Sequence, residues 1–408
     1  MKFFLADSRF PWRSVRRCSL LLCVLLLLTL SSTAQTRRHA VVRKAATTAA
    51  VQTDVSAGFV PGAIDIFAGN GNNTATVSGS IATDTGFQGG PAAVATDSYG
   101  NIVIATGISG STPIYMVYAG GTTVPQILAT VTTQANPQVP LVKGNIYQIN
   151  SIATSGSCQT ACYTAGNPLS QSKFHASSLW FDSSDNLYIA DSATYYSIFK
   201  VDHTTGDVTR VAGDGTKGSY SVGGTISGIA TNVPLDGGIV DAKTDAYGNI
   251  YIADSTDFVV LAVYSATKPD GTTNTQPPPV LLAENPNSNS SDFTPGNIYT
   301  IAGQVGNSCY FNWDYSTTVN TYYICAQSGV ASGSSPYVLG NANSIAVDAS
   351  GNVYILDGAM LMVDVISAGV ATPPLLTAEG TTPVAGNIYA IVGYNSPNNL
   401  AANYLYGG

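Results

Sequence analysis

The amino-acid sequence predicts an all-β fold made of repeated four-stranded antiparallel sheets, on three observations. One phrase occurs four times: VATDSYGNIVIAT at Val94–Thr106, LWFDSSDNLYIAD at Leu179–Asp191, DAKTDAYGNIYIAD at Asp241–Asp254 and IAVDASGNVYILD at Ile345–Asp357. A second phrase interleaves with it, as GAIDIFAG at Gly62–Gly69, GNIYQI at Gly144–Ile149, DVTRVAG at Asp207–Gly213, GNIYTIAG at Gly296–Gly303 and GNIYAIVG at Gly386–Gly393. Each copy of the first phrase places an Asp-x-x-Gly/Asp-Asn turn between two apolar runs, the pattern of a tight hairpin. An internal repeat sets the architecture ahead of any single residue.

Residues 1–34 read as a secretory signal peptide. Lys2, Arg9, Arg13, Arg16 and Arg17 precede an apolar stretch from Leu20 to Leu30, and Ser32-Thr33-Ala34 offers a small-x-small cleavage site. That stretch falls well short of the ~20 residues needed to span a bilayer, so no transmembrane segment is expected in the mature chain. Five of the sixteen basic residues and one of the twenty-four acidic residues lie in this leader. Eleven basic and twenty-three acidic residues remain, for a formal net charge of −12. Residues 35–58 form a basic, then Thr/Ala-rich, flexible arm that holds Arg37, Arg38, Arg43 and Lys44. The rest is so poor in Lys and Arg that it lacks a phosphate-gripping face, which argues against nucleic-acid binding.

Residues 59–408 carry the repeats. The second copy predicts strands Leu179–Asp182, Leu187–Ala190, Ser197–Asp202 and Val208–Ala212. The third predicts Val240–Asp245, Ile250–Asp254, Phe258–Ser265 and, after a long connection, Asn297–Ala302. Runs such as Ile250-Tyr251-Ile252-Ala253 are apolar on both faces, whereas a sheet with one wet face alternates. Short four-stranded sheets covered on both faces by copies of themselves are the blades of a β-propeller.

The combination of GNIYTIAG, a glycine-rich linker, IAVDASGNVYI and a third strand such as Ser197–Val201 resembles the NHL-repeat propellers of secreted bacterial proteins. The linkers Gly213–Tyr220 and Gly69-Asn70-Gly71 are similar to that family's inter-blade loop. The Asn-x-Arg-Ile usual in its third strand is missing from every copy, and three connections between strands three and four are longer than its norm. The resemblance implies six blades, of which four are readable here. Five copies of the fourth strand stand against four of the first three, so an incomplete or open ring is expected. Its edges would call for further blades or another chain.

Four cysteines follow the leader. In an exported chain the even number points to disulfides, most simply Cys158–Cys162 and Cys309–Cys325. A four-thiolate metal site is the rival, but neither pair has zinc-knuckle spacing and no histidine flanks them. The loop that Cys309 and Cys325 bracket is rich in aromatics: Tyr310, Trp313, Tyr315, Tyr322 and Tyr323. Such side chains supply rigid contact area, so this loop is a candidate binding surface for a protein or glycan partner. The long connections VPQILATVTTQANPQVPLVKGNIY, PPPVLLAENPNSNSSDFTPGNIY and TPPLLTAEGTTPVAGNIY form either a row of binding loops on one rim or tolerated insertions.

No catalytic constellation emerges. The mature histidines His39, His175 and His203 have no assignable partners, and the glutamates are Glu284 and Glu379 alone. Asp97, Asp182, Asp245 and Asp348 sit where Asp caps a hairpin turn, and Asp191, Asp254 and Asp357 end strand two. Asp182–Asp185 and Asp254–Asp257 offer at most weak ion ligands, and no cofactor or metal site is assigned. The expected function is therefore a secreted, non-enzymatic binding or surface-interaction module working through rim loops. The alternative is an extracytoplasmic propeller enzyme, of lyase, lactonase or hydrolase type, acting on a carbohydrate, lactone or peptide.

Overall fold

Four antiparallel sheets follow one another along the chain as the blades of a β-propeller. The computed structural model describes residues 66–393 apart from 75, 77, 108–111, 122–123, 130–139, 152–162, 285–288, 307–327, 331–337, 379 and 381. Blade 1 is β1 (Pro91–Thr96), β2 (Ile102–Thr106), β3 (Ile114–Val117) and β4 (Ile146–Gln148). Blade 2 is β5 (Ala176–Phe181), β6 (Leu187–Asp191), β7 (Ser197–Val201) and β8 (Val208–Ala212). In blade 3, β9 (Ser227–Ile229) precedes β10 (Ile239–Thr244), β11 (Ile250–Asp254), β12 (Val259–Val263) and β13 (Asn297–Gly303). In blade 4, β14 (Ser328–Val330) precedes β15 (Ala342–Val347), β16 (Val353–Asp357), β17 (Met362–Ile366) and β18 (Asn387–Gly393).

The four-strand grammar read from the repeats holds, with one addition. β9 and β14 pair with the outer edges of β13 and β18, giving two blades a fifth strand from the linker before them. These strands cover an edge that would otherwise present unpaired N–H and C=O groups. Each blade's first strand carries a register shift near its start, in β1, β5, β10 and β15 alike. A bulge there re-aims the following side chain.

The repeated Asp and Asn form one hydrogen-bonded staple. In blade 2, Asp182 Oδ1 accepts the Ser184 and Asn186 N–H at 2.9 and 3.0 Å, and Oδ2 accepts Asn186 Nδ2 at 2.8 Å and the Tyr188 hydroxyl at 3.2 Å. Asp245 and Asp348 repeat all four bonds; Asp97 repeats three, since Val103 replaces the tyrosine. The asparagine's Oδ1 then accepts the N–H where strand three exits: Ala119, His203, Ser265 or Ala368. The position before each asparagine is left-handed, filled by Gly100, Gly248 and Gly351 and, in blade 2, by Asp185 at φ 59°.

Between blades the core is continuous. Val103, Ala105 and Met116 of blade 1 pack with Leu179, Leu187 and Phe199 of blade 2. Trp180 and Tyr188, stacked with centroids 5.1 Å apart, meet Ile239, Ala242 and Ile252 of blade 3. Tyr251 and Ala253 meet Ile345 and Ile355 of blade 4. The tyrosine column is thus inter-blade packing that also feeds the Asp staple.

Among the described residues no core cluster joins blade 4 to blade 1, and no strand of blade 4 packs extensively against blade 1. Val94 is 64% exposed, although its counterparts Leu179, Ala242 and Ile345 are buried. Leu356 is 46% exposed where Ala105, Ala190 and Ala253 are fully buried. Ile66 and Phe67, the described part of the first GAIDIFAG copy ahead of Ala68 and Gly69, are coil and not strand. The four blades form an open arc.

The long connections resolve into packing. Their shared Pro-plus-apolar spelling folds into short helical turns, α1 (Pro279–Glu284) and α2 (Pro374–Ala378), with a similar turn closed onto Pro125 O by Leu128 and Ala129 N–H. Leu128, Val280 and Leu376 are buried there, and α1 lies against Gly351 of the next blade.

Candidate functional site

At the open end of the arc, the linker running into β1 leaves a concavity of about 550 Å³. Ile66, Ala68, Phe87 and Pro91 line it together with the amides Asn72 and Asn73, with no ionisable side chain in the lining among the described residues. The linker that shapes it is held by repeat-like bonds: Gly69 N–H to Ala82 O and Ala82 N–H to Gly144 O, matching Gly213 to Ala230 and Ala230 to Gly296. In the matching place of blade 2, Ala212 packs beside Ile198 inside the closed core. The concavity therefore occupies ground that elsewhere is filled by the preceding blade.

A polar belt joins the first strands of three blades. Asp241 accepts the Ser178 hydroxyl on Oδ1 and the Ser344 hydroxyl on Oδ2, each at 2.7 Å, and takes Lys243 Nζ at 2.5 Å. Burial raises its pKa, but Lys243 and the two hydroxyls outweigh it and hold the carboxyl below its ordinary value. Each oxygen is occupied, so the group acts as a structural tie and is ill-suited to abstract a proton. Sequence reasoning passed over this residue because it does not recur. An Asp inside the apolar stretch Ile239-Val240-Asp241-Ala242 was the available signal.

The sequence-derived candidates fall as follows. Cys158, Cys162, Cys309 and Cys325 lie outside the described residues, as do Tyr310, Trp313, Tyr315, Tyr322, Tyr323 and His39. His203 stacks on Tyr99 with centroids 6.2 Å apart, and His175 immediately precedes β5 with its Nδ1 buried and without a hydrogen-bond partner. Asp185 does not join Asp182 around an ion; its carboxylate accepts the Ser98 N–H and hydroxyl at 2.7 and 2.6 Å, tying blade 2 to blade 1. Among the described residues no three His, Cys, Asp or Glu side chains group tightly enough to hold a metal by themselves, and no helix is long and apolar enough to cross a membrane.

No protein-family model matches the chain, and no curated protein matches it. Several solved structures show a loose likeness. A protein of unknown function from Bacteroides thetaiotaomicron matches 65% of this chain and 44% of its own at 14% identity, TM-score 0.30. A catalytically inactive virginiamycin B lyase from Staphylococcus aureus, with quinupristin, matches 76% and 57% at 8% identity, TM-score 0.31. An auxiliary nutrient binding protein from Bacteroides ovatus matches 65% and 56% at 16% identity, TM-score 0.27. The chain spans about half the length of these proteins. At such TM-scores the likeness carries no argument; the propeller architecture rests on the chain's own strand pairing.

Proposed function

We propose that this chain is a secreted, non-enzymatic binding or surface-interaction module of NHL-repeat kinship, whose rigid blades present contact surfaces to a protein or glycan. The observation that carries this reading is the concavity beside β1, lined among the described residues by apolar side chains and the amides Asn72 and Asn73. The turn-capping carboxylates Asp97, Asp182, Asp245 and Asp348 support it, since their oxygens accept turn N–H groups and staple side chains. We assign the aromatic loop Tyr310, Trp313, Tyr315, Tyr322 and Tyr323 as a second contact surface, pinned by a Cys309–Cys325 disulfide, with Cys158–Cys162 closing another loop. We further propose that residues 1–34 direct export.

A glycan microarray probed with the exported chain tests this reading, with Ile66→Lys and Trp313→Ala as variants. Ile66 is 68% exposed, so its substitution leaves the core intact. Saturable binding that falls at least tenfold in either variant is expected, which corresponds to about 1.4 kcal/mol. Turnover of a lactone, glycoside or peptide substrate by the purified chain would favour the enzymatic alternative.

A further inference from the structure

The aspartate that ends strand two behaves differently in blade 3. Asp191 Oδ1 accepts the N–H groups of Ala193, Thr194 and Tyr195, and its Oδ2 accepts that of His175 at 2.8 Å. Asp357 likewise uses both oxygens, taking Asn341 and Met360 N–H on Oδ1 and Gly340 N–H on Oδ2 at 2.6 Å. Asp254 keeps the turn bonds on Oδ1, from Thr256 and Asp257 N–H, each at 3.1 Å. Its Oδ2 is buried and has no partner.

The reason lies in the segment entering β10. In blades 2 and 4 that segment turns an N–H toward the aspartate; in blade 3 it brings another carboxylate, Asp236. Asp236 accepts the Gly237 N–H at 2.6 Å and pairs with Lys217 at 3.4 Å. Asp257, in the turn after β11, also leaves its Oδ2 buried without a partner. Asp254 is 0% exposed and Asp257 8%, so two carboxylate oxygens are shielded from water with no hydrogen-bond donor, and the Lys217 ammonium offsets part of the Asp257 charge. Tyr220 and Asp214 of the inter-blade linker stand near enough to feel the cluster: burial, then Asp257, Asp214 and Asp254, pushes the Tyr220 hydroxyl up to about 12. Lys217 is the cation that pairs here, and it is engaged by Asp236.

Burying an unpaired carboxylate costs several kcal/mol unless a counter-charge arrives or the group takes up a proton. We propose that Asp254 and Asp257, with Asp236 beside them, form a calcium site on the rim of blade 3. The donors are all oxygen, which suits a hard cation and excludes the thiolate and imidazole preferences of zinc. Among the described residues no three such side chains are grouped to hold an ion, so the ligating side chains are the two carboxylates Asp254 and Asp257, Asp236 adds only negative charge, and main-chain oxygens and water complete the shell. Calcium accepts such a mixed, irregular shell of 6–8 oxygens, whereas magnesium demands a near-ideal octahedron. The expected Kd is in the range ~10⁻⁴–10⁻³ M found for extracellular modules.

Thermal unfolding of the full chain at pH 8, in EGTA or in 10 mM calcium chloride, tests the site. Calcium is expected to raise the midpoint by about 2–5 °C, because it binds the folded state alone. Asp254→Asn and Asp257→Asn should each abolish that rise, and terbium luminescence titrated into the same proteins should saturate only in the parent chain. Asp357→Asn, at the matching position of blade 4 where both oxygens are occupied, should respond to calcium like the parent. An equal rise with magnesium would mean general screening and overturn the assignment. So would a calcium response that survives in both blade 3 variants, or no response at all.

Discussion

Asp182→Ala tests the reading that the repeated Asp-to-Asn spacing is a structural staple. The carboxylate is 7% exposed and accepts bonds of 2.8–3.2 Å from four donor groups. Removing it lets the two turn N–H groups reach water and leaves Asn186 Nδ2 with Pro269 O at 3.0 Å. The Tyr188 hydroxyl, in a side chain 4% exposed, loses its acceptor altogether. Bonds to a charged acceptor are worth about 1.5–3 kcal/mol and a stranded buried donor costs about 1–3 kcal/mol, so a total of about 3–5 kcal/mol is expected. Asp97→Ala, at the half-exposed end of the arc and without the tyrosine, should cost only about 1–2 kcal/mol. Adding Tyr188→Phe to Asp182→Ala removes the stranded hydroxyl and should recover about 1 kcal/mol. Equilibrium urea unfolding followed by Trp180 fluorescence measures all three, because the indole stacks on Tyr188. Equal costs for Asp182→Ala and Asp97→Ala, or no recovery in the double variant, would refute the reasoning.

Three further outcomes are expected. Burial, then Asp257 and Asp236, pushes Asp254 up to about 7; the folded state therefore holds a proton that the unfolded state releases near 4, and without calcium this carboxyl makes stability fall as pH rises from about 4 to about 7 and stay level above. Asp254→Asn should flatten that fall in urea midpoints measured from pH 4 to pH 8, and an unchanged slope would exclude Asp254 as its source. Gly303→Ala should cost about 2–4 kcal/mol, since φ is +79° and a Cβ would run into Phe258 O; Gly213 and Gly393 sit in the same trap against Tyr196 O and Leu361 O, so a neutral Gly303→Ala would contradict the strand-four ending seen in three blades. Leu356→Ser should change stability by less than about 0.5 kcal/mol, while Ala253→Leu, the same column inside the closed stack, should cost about 1–3 kcal/mol. A large loss on Leu356→Ser would show that the last face is covered and the arc closed.

The repeats determined the blade grammar by themselves, because a hairpin is a local event. An Asp, a left-handed Gly or Asp185 and an Asn at fixed spacing close each turn from within, and two-sided apolar strands demand neighbours on both faces. The strands read from the second and third copies match β5 to β8 and β10 to β13 within a few residues. What lay beyond the sequence depends on residues far apart in the chain. Asp241 meets Ser178 and Ser344 across 63 and 103 positions, and its apolar neighbours hint at burial without naming those partners. Two of the connections that read as a binding rim or idle insertion are plugs, with Leu128 packed against blade 2 and Val280 and Leu281 against blade 4. Asp191, Asp254 and Asp357 are written alike, yet only tertiary structure decides whether the segment entering the blade offers an N–H or a second carboxylate. Local chemistry fixed the turns, and long-range packing decided which polar groups they leave unanswered.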